Sequence, residues 1–333
     1  MNSDHRTDNL VIGVVGIGLM GSSIVVNLLL AGHKVKAIAP IREDYLLAPE
    51  RIKDNLAHAA KFGLLTCPEQ YYYSRLTISE DYEELRDCRM VAECVMERSH
   101  IKNNVYARIV KAVDKETIIA SNTSAIPISS LQKMVDYPER FMGVHWAEPA
   151  YATRFLEIVP GENTDPENIE WMFQLAYLWK KEPILLKKDI RGFITNRLMY
   201  SVYREAFSLV SSGRATFEEI DKAFRYDAGS WITLMGIFRR MDFIGLHDLD
   251  KIFNNIFPLL SNSESIPPVM EEMIAADARG VHNAKGLYPY TEEEIKAWND
   301  AFALFNKDIY HLTEEYTQAK IDLVSRGKER AFF

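Results

Sequence analysis

One segment near the start of the chain, residues 11–42, constrains the fold more than any other. The run Leu10–Val15 is rich in β-branched side chains, as expected of a buried parallel strand. A G-x-G-x-x-G motif follows, and its glycines are Gly16, Gly18 and Gly21. Apolar residues then recur at helical spacing over Ser22–Ala31, and a second strand-like run occupies Lys34–Ala39. This order predicts a dinucleotide-binding domain, because the glycines allow a tight turn and bring a helix N-terminus close to a pyrophosphate.

The end of the second predicted strand bears on the choice between NAD and NADP. An acidic residue usually stands there and binds the adenosine ribose, but this sequence has Ala39. Arg42 follows shortly, and an arginine near this position can bind a 2′-phosphate. Alternatively, Arg42 is a solvated loop charge and Glu43 or Asp44 replaces the missing acid from one turn later. We expect NAD as the cofactor, with NADP as the alternative.

The composition narrows the class of protein. The chain has 333 residues, of which 47% are apolar, and is therefore long enough for two domains with a sizeable core. Lys and Arg number 39 against 47 Asp and Glu, so the net charge is −8, and these charges are scattered along the sequence. This balance argues against nucleic acid or an anionic membrane as a partner, because both bind basic surfaces.

Three features predict a cytoplasmic protein without a metal site. The cysteines, Cys67, Cys88 and Cys94, form no CxxC pair and no cluster with histidine. The opening residues MNSDHRTDNL are too acidic and too polar for the n-region of a secretory signal. The apolar segment that follows them is interrupted by glycines and polar residues, so we expect no membrane span.

The first part of the chain predicts one sheet. Beyond the opening unit, apolar runs at residues 90–102 and 115–131 are interpreted as later strands, with helical stretches between them. A ligand of such a sheet lies across the carboxyl ends of the strands. The prediction is an α/β fold with a Rossmann-type doubly wound parallel sheet in residues 1–188.

The second part of the chain predicts helices. A helical pattern over Phe193–Ser211 ends before a glycine, and the spacing Thr216-x-x-Glu219 indicates a capping box at the start of another helix. Helical patterns continue to Arg330. We therefore expect an all-helical C-terminal domain in residues 189–333.

Seven short motifs, in order, make the chain resemble the 3-hydroxyacyl-CoA dehydrogenase family over nearly its whole length. They are G-x-G-x-M-G from Gly16, E-x-x-x-E-x-x-x-x-K (Glu93, Glu97 and Lys102), SNTS (121–124), G-x-H (143–145), LEIVPG (156–161), GFITNRL (192–198) and KGLYPY (285–290). The resemblance implies a nicotinamide-dependent interconversion of an L-3-hydroxyacyl-CoA and its 3-oxo form. It also implies a homodimer formed through the helical domain; alternatively, the apolar faces of those helices only pack internally.

The resemblance also implies catalytic positions. His145 matches the family's catalytic histidine and Glu157 the carboxylate that orients it, while Ser124 and Asn196 match groups that hold the substrate's 3-oxygen. The chemistry agrees, since alcohol oxidation needs a base of near-neutral pKa and dipoles aimed at an oxygen that gains charge. The alternatives are structural roles: a core histidine, a cap by Ser124 for a helix beginning at Ile128, and a buried amide that needs a partner.

Further candidates lie on the cofactor side. Besides the three glycines, they are Leu19, Met20, Arg42, Glu97, Lys102 and Asn122. Glu97 and Lys102 alternatively are solvated charges. The expected partner is a small-molecule substrate, an acyl-CoA above all.

Two departures from the family pattern bear on the substrate. Where the family usually has H-F-F-N-P, this chain has HWAEP, so Glu148 places a carboxylate near the predicted catalytic histidine. That carboxylate would raise the pKa of the histidine, meet a cationic or hydroxyl-rich substrate, or point into solvent. The segment at 227–242, with Trp231 and with Ile237 in place of a proline, is similar to the branch that contains lambda-crystallin, gulonate dehydrogenase and carnitine dehydrogenase. A free 3-hydroxy acid and a non-catalytic nucleotide-binding protein are therefore the alternatives to acyl-CoA oxidation.

Overall fold

Eight short apolar runs form a single sheet in the first part of the chain. The computed structural model describes residues 10–318, so the opening segment MNSDHRTDN and the predicted helical end at Arg330 lie outside the described residues. The strands are β1 (Val11–Val15), β2 (Lys34–Ile38), β3 (Leu76–Ser79), β4 (Met90–Glu93), β5 (Ile118–Ser121), β6 (Phe141–Trp146), β7 (Phe155–Pro160) and β8 (Glu182–Leu185).

The strand order is that of a doubly wound fold. The strands lie in the order β3-β2-β1-β4-β5-β6-β7-β8, and the order reverses between β1 and β4. Neighbouring strands are parallel, except for the antiparallel pair of β6 and β7. The Rossmann-type prediction is confirmed, and the carboxyl ends of β1, β2, β4, β5 and β6 share one edge, where such folds bind ligands.

Helices lie between most of the strands and dominate the rest of the described chain. The α-helices are α1 (Leu19–Leu30), α2 (Arg42–Lys61), α3 (Glu69–Tyr73), α4 (Ser99–Ala112), α5 (Ile128–Gln132), α6 (Pro166–Leu178), α7 (Thr195–Ser211), α8 (Phe217–Ala223), α9 (Gly229–Met235), α10 (Ile237–Ile244), α11 (Leu246–Ile256), α12 (Pro268–Ala275) and α13 (Glu292–Gln318). Within residues 10–318, no helix combines the length and the apolar character needed to cross a membrane.

Alternation along the strands builds one core on each face of the sheet. Val14 and its neighbours on one face pack against α1, α2 and α6. Val15 and its neighbours on the other face pack against α4 and α5. Trp146 belongs to the first face, so the alternation turns His145 toward the second, where the Phe193 ring lies 5.7 Å from the imidazole, centroid to centroid.

Several predicted boundaries differ from the observed ones. The helix predicted to start at Ser22 begins at Leu19, so the third glycine of the motif lies inside α1. The runs at 90–102 and 115–131 each contain a four-residue strand, and each then continues toward a helix. The runs are longer than the strands because buried strand ends and buried helix starts are both apolar, so hydropathy alone does not separate them.

The described chain divides into two compact units between Asn196 and Arg197. The boundary predicted after residue 188 stays a prediction. In the second unit, the described residues 197–318 form helices, with isolated β-bridges that join Lys285 to residues 280 and 289. The helical character predicted for this part is confirmed.

The predicted capping box is present at the start of α8. The Thr216 hydroxyl accepts from the backbone N–H of Glu219 at 3.2 Å, and the Glu219 carboxylate accepts from the backbone N–H of Thr216 at 2.8 Å. These two bonds satisfy donors that the first turn of a helix otherwise leaves unpaired.

Candidate active site

The glycine motif forms the turn between β1 and α1. Gly16 has a φ of 91°, and a Cβ there would lie 2.8 Å from the carbonyl carbon of Cys94. A Cβ on Gly21 would lie 1.8 Å from the carbonyl oxygen of Gly16, so the helix approaches the turn as closely as backbone allows. A Cβ on Gly18, the N-cap residue of α1, would meet no atom within 4 Å, so there is open space over this end of the helix.

These features fit a pyrophosphate at the start of α1. The first turn of the helix carries no acidic residue, and its unpaired N–H groups are typical anion donors. Leu19 is exposed at this end and Met20 is half-buried. The two predicted residues thus flank the helix start, and their backbone N–H groups belong to the unpaired set.

Arg42 lies at the carboxyl end of β2, in a different part of the edge. Its guanidinium pairs with the Glu80 carboxylate and lies 4.8 Å from the centroid of the Tyr45 ring. Ala39, the residue in place of the usual acid, is buried. Arg42 is therefore exposed but engaged.

Asp44, the proposed substitute acid, faces an arginine. Its carboxylate accepts from Arg51 at 2.8 Å, and the same guanidinium nitrogen is 3.3 Å from the carbonyl oxygen of Ile17 in the glycine turn. Asp44 and Arg51 thus brace the turn from α2, while Glu43 is exposed.

A buried ionic network lies at the carboxyl end of β4. Lys102 donates to both carboxylate oxygens of Glu93, at 2.8 and 3.0 Å, and both side chains are inaccessible to solvent. The hydroxyls of Tyr106 and Ser121 each donate to Glu93 at 2.7 Å. Burial, and then the charge of Glu93, raise the pKa of Tyr106, so its hydroxyl remains a neutral donor. The alternative of a solvated Lys102 is wrong, because its side chain is inaccessible to solvent and its ammonium is bonded to Glu93.

Glu97 and Asn122 lie beside this network. The Glu97 carboxylate accepts from the Thr123 hydroxyl and lies 3.5 Å from the Lys102 ammonium. The Asn122 side-chain oxygen accepts from the backbone N–H of Trp146 at 3.0 Å, which ties the end of β5 to the end of β6. Both residues therefore stand at the predicted ligand edge.

His145 and Glu157 face each other across the antiparallel pair of β6 and β7. Nδ1 of His145 lies 2.8 Å from Oε2 of Glu157, and both side chains are buried. The other carboxylate oxygen, Oε1, accepts from the backbone N–H groups of Ile194 and Thr195 at 3.0 Å each. These donors form the N-terminus of α7, where the helix dipole favours a negative charge.

The surroundings keep Glu157 ionised. Burial acts to raise the pKa of Glu157, but the hydrogen bond from His145 and the backbone N–H groups of Thr195 and Ile194 outweigh it and lower this pKa. A carboxylate in this position accepts a hydrogen bond from the N–H at Nδ1, which leaves Nε2 of a neutral imidazole as the acceptor. The pair has the geometry of an oriented general base.

Ser124 and Asn196 are hydrogen-bonded to each other and lie next to this pair. The Asn196 amide donates to the carbonyl oxygen of Ser124 at 2.9 Å, and Asn196 directly follows Thr195. The alternative that Ser124 caps the helix at Ile128 is wrong, because the N-cap of α5 is Pro127, without a side-chain cap. The four predicted catalytic residues are thus neighbours, whereas Arg42 lies at another strand.

Glu148 stands three residues after His145. More than a third of its surface is exposed, yet burial among neighbouring groups raises the pKa of its carboxyl to about 7, against a lowering effect of a hydrogen bond with Ser23. The carboxyl therefore does not simply project into bulk water. Ser23 lies on α1 and also accepts from the backbone N–H of Ala150 at 2.6 Å.

No sequence pattern identifies Lys181 or Glu80 as a functional residue. Lys181 is buried between α6 and β8, and its ammonium donates to the carbonyl oxygens of Ala150 and Thr153. In the sequence it is one of two adjacent lysines before a glutamate, a pattern typical of solvated charge. Glu80 follows a short strand with no motif around it, so only strand pairing relates it to Ala39.

Comparisons with known proteins show the family of this chain. A family model described as 3-hydroxyacyl-CoA dehydrogenase, NAD binding domain, matches residues 11–190, and one described as 3-hydroxyacyl-CoA dehydrogenase, C-terminal domain, matches residues 192–290. The first match covers the glycine turn, the buried network and the His145–Glu157 pair.

Individual relatives have diverse names. The chain is 29% identical to a 5-formyl-3-hydroxy-2-methylpyridine 4-carboxylate 5-dehydrogenase of Mesorhizobium japonicum, over 86% of this chain and 92% of the relative. It is 33% identical to an L-carnitine dehydrogenase of Bacillus cereus, over 70% of this chain and 71% of the relative.

A solved structure supports the same assignment. The crystal structure of a 5-formyl-3-hydroxy-2-methylpyridine 4-carboxylic acid 5-dehydrogenase, described as an NAD⁺-dependent dismutase, matches with a TM-score of 0.84 and 28% identity. The match covers 92% of this chain and 99% of that chain. With its complete glycine turn and both family models matched, the chain belongs to the 3-hydroxyacyl-CoA dehydrogenase family of NAD-dependent oxidoreductases that act on CH–OH groups.

Proposed function

We propose that this protein interconverts a 3-hydroxyacyl substrate, above all an L-3-hydroxyacyl-CoA, and its 3-oxo form. The contact of 2.8 Å between Nδ1 of His145 and Oε2 of Glu157 carries the proposal. Because the carboxylate engages Nδ1, Nε2 is left to accept the proton of the substrate hydroxyl. NAD, when bound, would accept a hydride from the carbon atom that bears this hydroxyl.

The protein groups around this reaction have distinct roles in the proposal. His145 takes the proton at Nε2, and the ionised Glu157 stabilises the imidazolium that results. The Ser124 hydroxyl and the Asn196 amide hold the 3-oxygen through its change of charge. The Asn196 bond to the Ser124 carbonyl supports this role, because it keeps the two residues together beside the base.

A free 3-hydroxy acid is the second candidate substrate. The observation that favours it is Glu148, three residues after the base, since a carboxylate attracts a cation or hydroxyls more than it attracts an acyl chain. The similarity to a protein named L-carnitine dehydrogenase supports this candidate, whereas the description of the family models supports the acyl-CoA. The alternative of a non-catalytic protein has little support, because the His145–Glu157 pair is complete.

Turnover with matched substrates tests these assignments. Purified protein would receive NADH with acetoacetyl-CoA, or NAD with L-carnitine or gulonate, and the absorbance of the reduced nicotinamide would be followed. We expect NADH oxidation with acetoacetyl-CoA and its loss in His145→Gln, with NADH binding retained. Turnover of only the free acids would replace the first candidate with the second. Full activity of His145→Gln would remove the proposed base.

We further infer that the active form is a homodimer associated through the helical unit. Among the described residues of that unit, Leu249 and Ala303 are buried, but Phe238 is 80% and Leu259 78% exposed. Other large apolar side chains on α9 to α13 are exposed as well. Monomeric proteins rarely leave so much apolar surface in water, so a second copy of the chain is the occupant that we propose.

The cysteines support a cytoplasmic location as part of the same proposal. Cys67, Cys88 and Cys94 form no disulfide. Free thiols are typical of proteins that work in a reducing compartment.

A further inference from the structure

The acid that is missing from the end of β2 has a counterpart on the next strand. Strands β2 and β3 pair in parallel, with Ile38 opposite Ser79. The backbone N–H of Ala39 donates to the carbonyl oxygen of Ser79 at 2.9 Å, so the pairing extends to the strand ends. Glu80 therefore emerges beside Ala39, at the edge where a Rossmann fold binds the adenosine ribose.

Glu80 is accessible and engages Arg42. The Glu80 side chain is 41% exposed and that of Arg42 is 64% exposed, so a ligand can reach both. Arg42 pairs with one carboxylate oxygen of Glu80 and stacks on the Tyr45 ring. The guanidinium that could otherwise bind a 2′-phosphate is thus held by a carboxylate and an aromatic ring.

We propose that Glu80 supplies the acid for the adenosine ribose and makes this enzyme select NAD over NADP. A carboxylate accepts a hydrogen bond from a ribose hydroxyl, as the usual acid at the end of β2 does. A 2′-phosphate in the same place would bring about two negative charges next to Glu80. Glu80 also neutralises Arg42, so the cation that would attract the phosphate is already paired.

Asp44 is the rival carboxylate, and its contacts argue against it. Its side chain is 20% exposed against 41% for that of Glu80, and its partner Arg51 also contacts the Ile17 carbonyl. In this position Asp44 braces the glycine turn. Its loss should therefore affect NAD and NADP alike, whereas the loss of Glu80 should affect them differently.

Direct binding measurements on the full-length enzyme test the proposal. Dissociation constants of NADH and NADPH would be measured by energy transfer from protein tryptophan to the reduced nicotinamide. In Glu80→Gln we expect the ratio of the NADPH constant to the NADH constant to fall by about tenfold. An unchanged ratio would overturn the proposal.

Glu84→Gln is the matched control. Glu84 also pairs with a cation, Lys36, at 2.9 Å, and its side chain is likewise 41% exposed. The selectivity ratio should stay at its wild-type value in this variant. An equal fall in both variants would mean that net charge alone sets the ratio, and would also overturn the proposal.

Arg42→Ala, added to Glu80→Gln, tests the release of the guanidinium. If the unpaired Arg42 binds the 2′-phosphate, the double variant should lose the NADPH affinity that Glu80→Gln gained. A gain that survives the loss of Arg42 would contradict this part of the proposal. Thermal unfolding of each variant establishes that it is folded, and the exposure of both side chains makes a folding defect unexpected.

Discussion

The ammonium of Lys181 lies 5.2 Å from the centroid of the Trp146 ring, and Trp146 directly follows His145. The same ammonium donates to the carbonyl oxygens of Ala150 and Thr153. Lys181 thus holds the loop that joins the two strands of the His145–Glu157 pair. Its interactions are with a ring and with backbone carbonyls, so this one cation connects the start of β8 to the loop.

Lys181→Met should weaken this loop. It removes a donor from two carbonyl oxygens, which costs about 1–3 kcal/mol in the free energy of unfolding, and it should lower kcat by roughly tenfold. Chemical denaturation and steady-state kinetics measure the two effects. Lys180→Met is the control, because Lys180 is the exposed neighbour. Equal behaviour of the two variants would show that Lys181 has no positioning role.

The pH dependence of stability gives a second readout for Lys181. Burial, and then the charge of Arg154, lower the pKa of Lys181 to about 7 in the folded protein. The unfolded chain holds this proton up to about pH 10.4, so it binds more protons than the folded chain between these values. The contribution of Lys181 to the free energy of unfolding should therefore rise with pH over this window. Lys181→Met should lack that rise; an identical slope would contradict the lowered pKa.

Glu157→Gln should separate catalysis from cofactor binding. An amide does not stabilise the imidazolium, so kcat should fall by about 10²–10⁴-fold while NADH affinity is retained. Glu162→Gln, a substitution at an exposed position shortly after Glu157, should match the wild type.

The lowered pKa of Glu157 also predicts a pH dependence of stability. Glu157 contributes to the free energy of unfolding above about pH 4.3, and this contribution is lost as pH falls through the pKa of the folded state. Unfolding curves between pH 3 and 6 should show this loss in the wild type and not in Glu157→Gln.

Two substitutions in the glycine turn should affect different properties, one NADH binding and the other stability. Gly18→Ala places its methyl group where no protein atom lies within 4 Å, so the protein should fold normally and bind NADH more weakly. Gly21→Ala would put Cβ 1.8 Å from the Gly16 carbonyl oxygen, and the resulting shift should cost about 1–3 kcal/mol of stability. Thermal unfolding and NADH titration distinguish the two. Wild-type NADH affinity in Gly18→Ala would mean that the space over α1 does not receive the pyrophosphate.

Glu148→Gln should simplify the pH profile of kcat/KM. The Glu148 carboxyl has its pKa raised to about 7 by burial, so it loses its proton as the pH rises through neutrality. Gln keeps a hydrogen-bonding side chain for Ser23 but has no ionisation. The profiles of the wild type and the variant should therefore differ near pH 7, because the variant lacks the ionisation of Glu148. If both profiles coincide, the Glu148 charge does not reach the reaction.

Phe238→Glu should disrupt the proposed dimer. The exposed ring lies on α10. A carboxylate in its place would be buried without a partner in an apolar interface, and this loss of hydration would destabilise the dimer. Light scattering should give a mass near twice 38.2 kDa for the wild type and a smaller mass for the variant. Arg239→Ala, at the adjacent exposed position, controls for local effects. A wild-type protein that is monomeric at micromolar concentration would contradict the association.

Local sequence patterns were sufficient for the parts of this protein that local conformation defines. The β-branched run, the three glycines and the capping box each require a particular backbone conformation over a few residues, and the structure contains all three features. The motifs that resemble the family placed His145 and Glu157, and strand pairing brings them face to face. The extent of the later strands was not predictable, because buried strands and buried helices are equally apolar.

Tertiary structure alone decided the environments of the charged residues. Lys181 looks solvated in the sequence, yet it is buried, because the carbonyl oxygens that accept from it belong to a loop far away in the sequence. Lys102 and Glu93 stand in one motif, but only the fold shows that both side chains are inaccessible to solvent. The contact of Ala39 with Ser79, which brings Glu80 to the ribose edge, depends on the register of two strands that are separated in the chain by two α-helices. The sequence around a charged residue does not show whether its side chain is exposed, because burial is a property of the assembled fold.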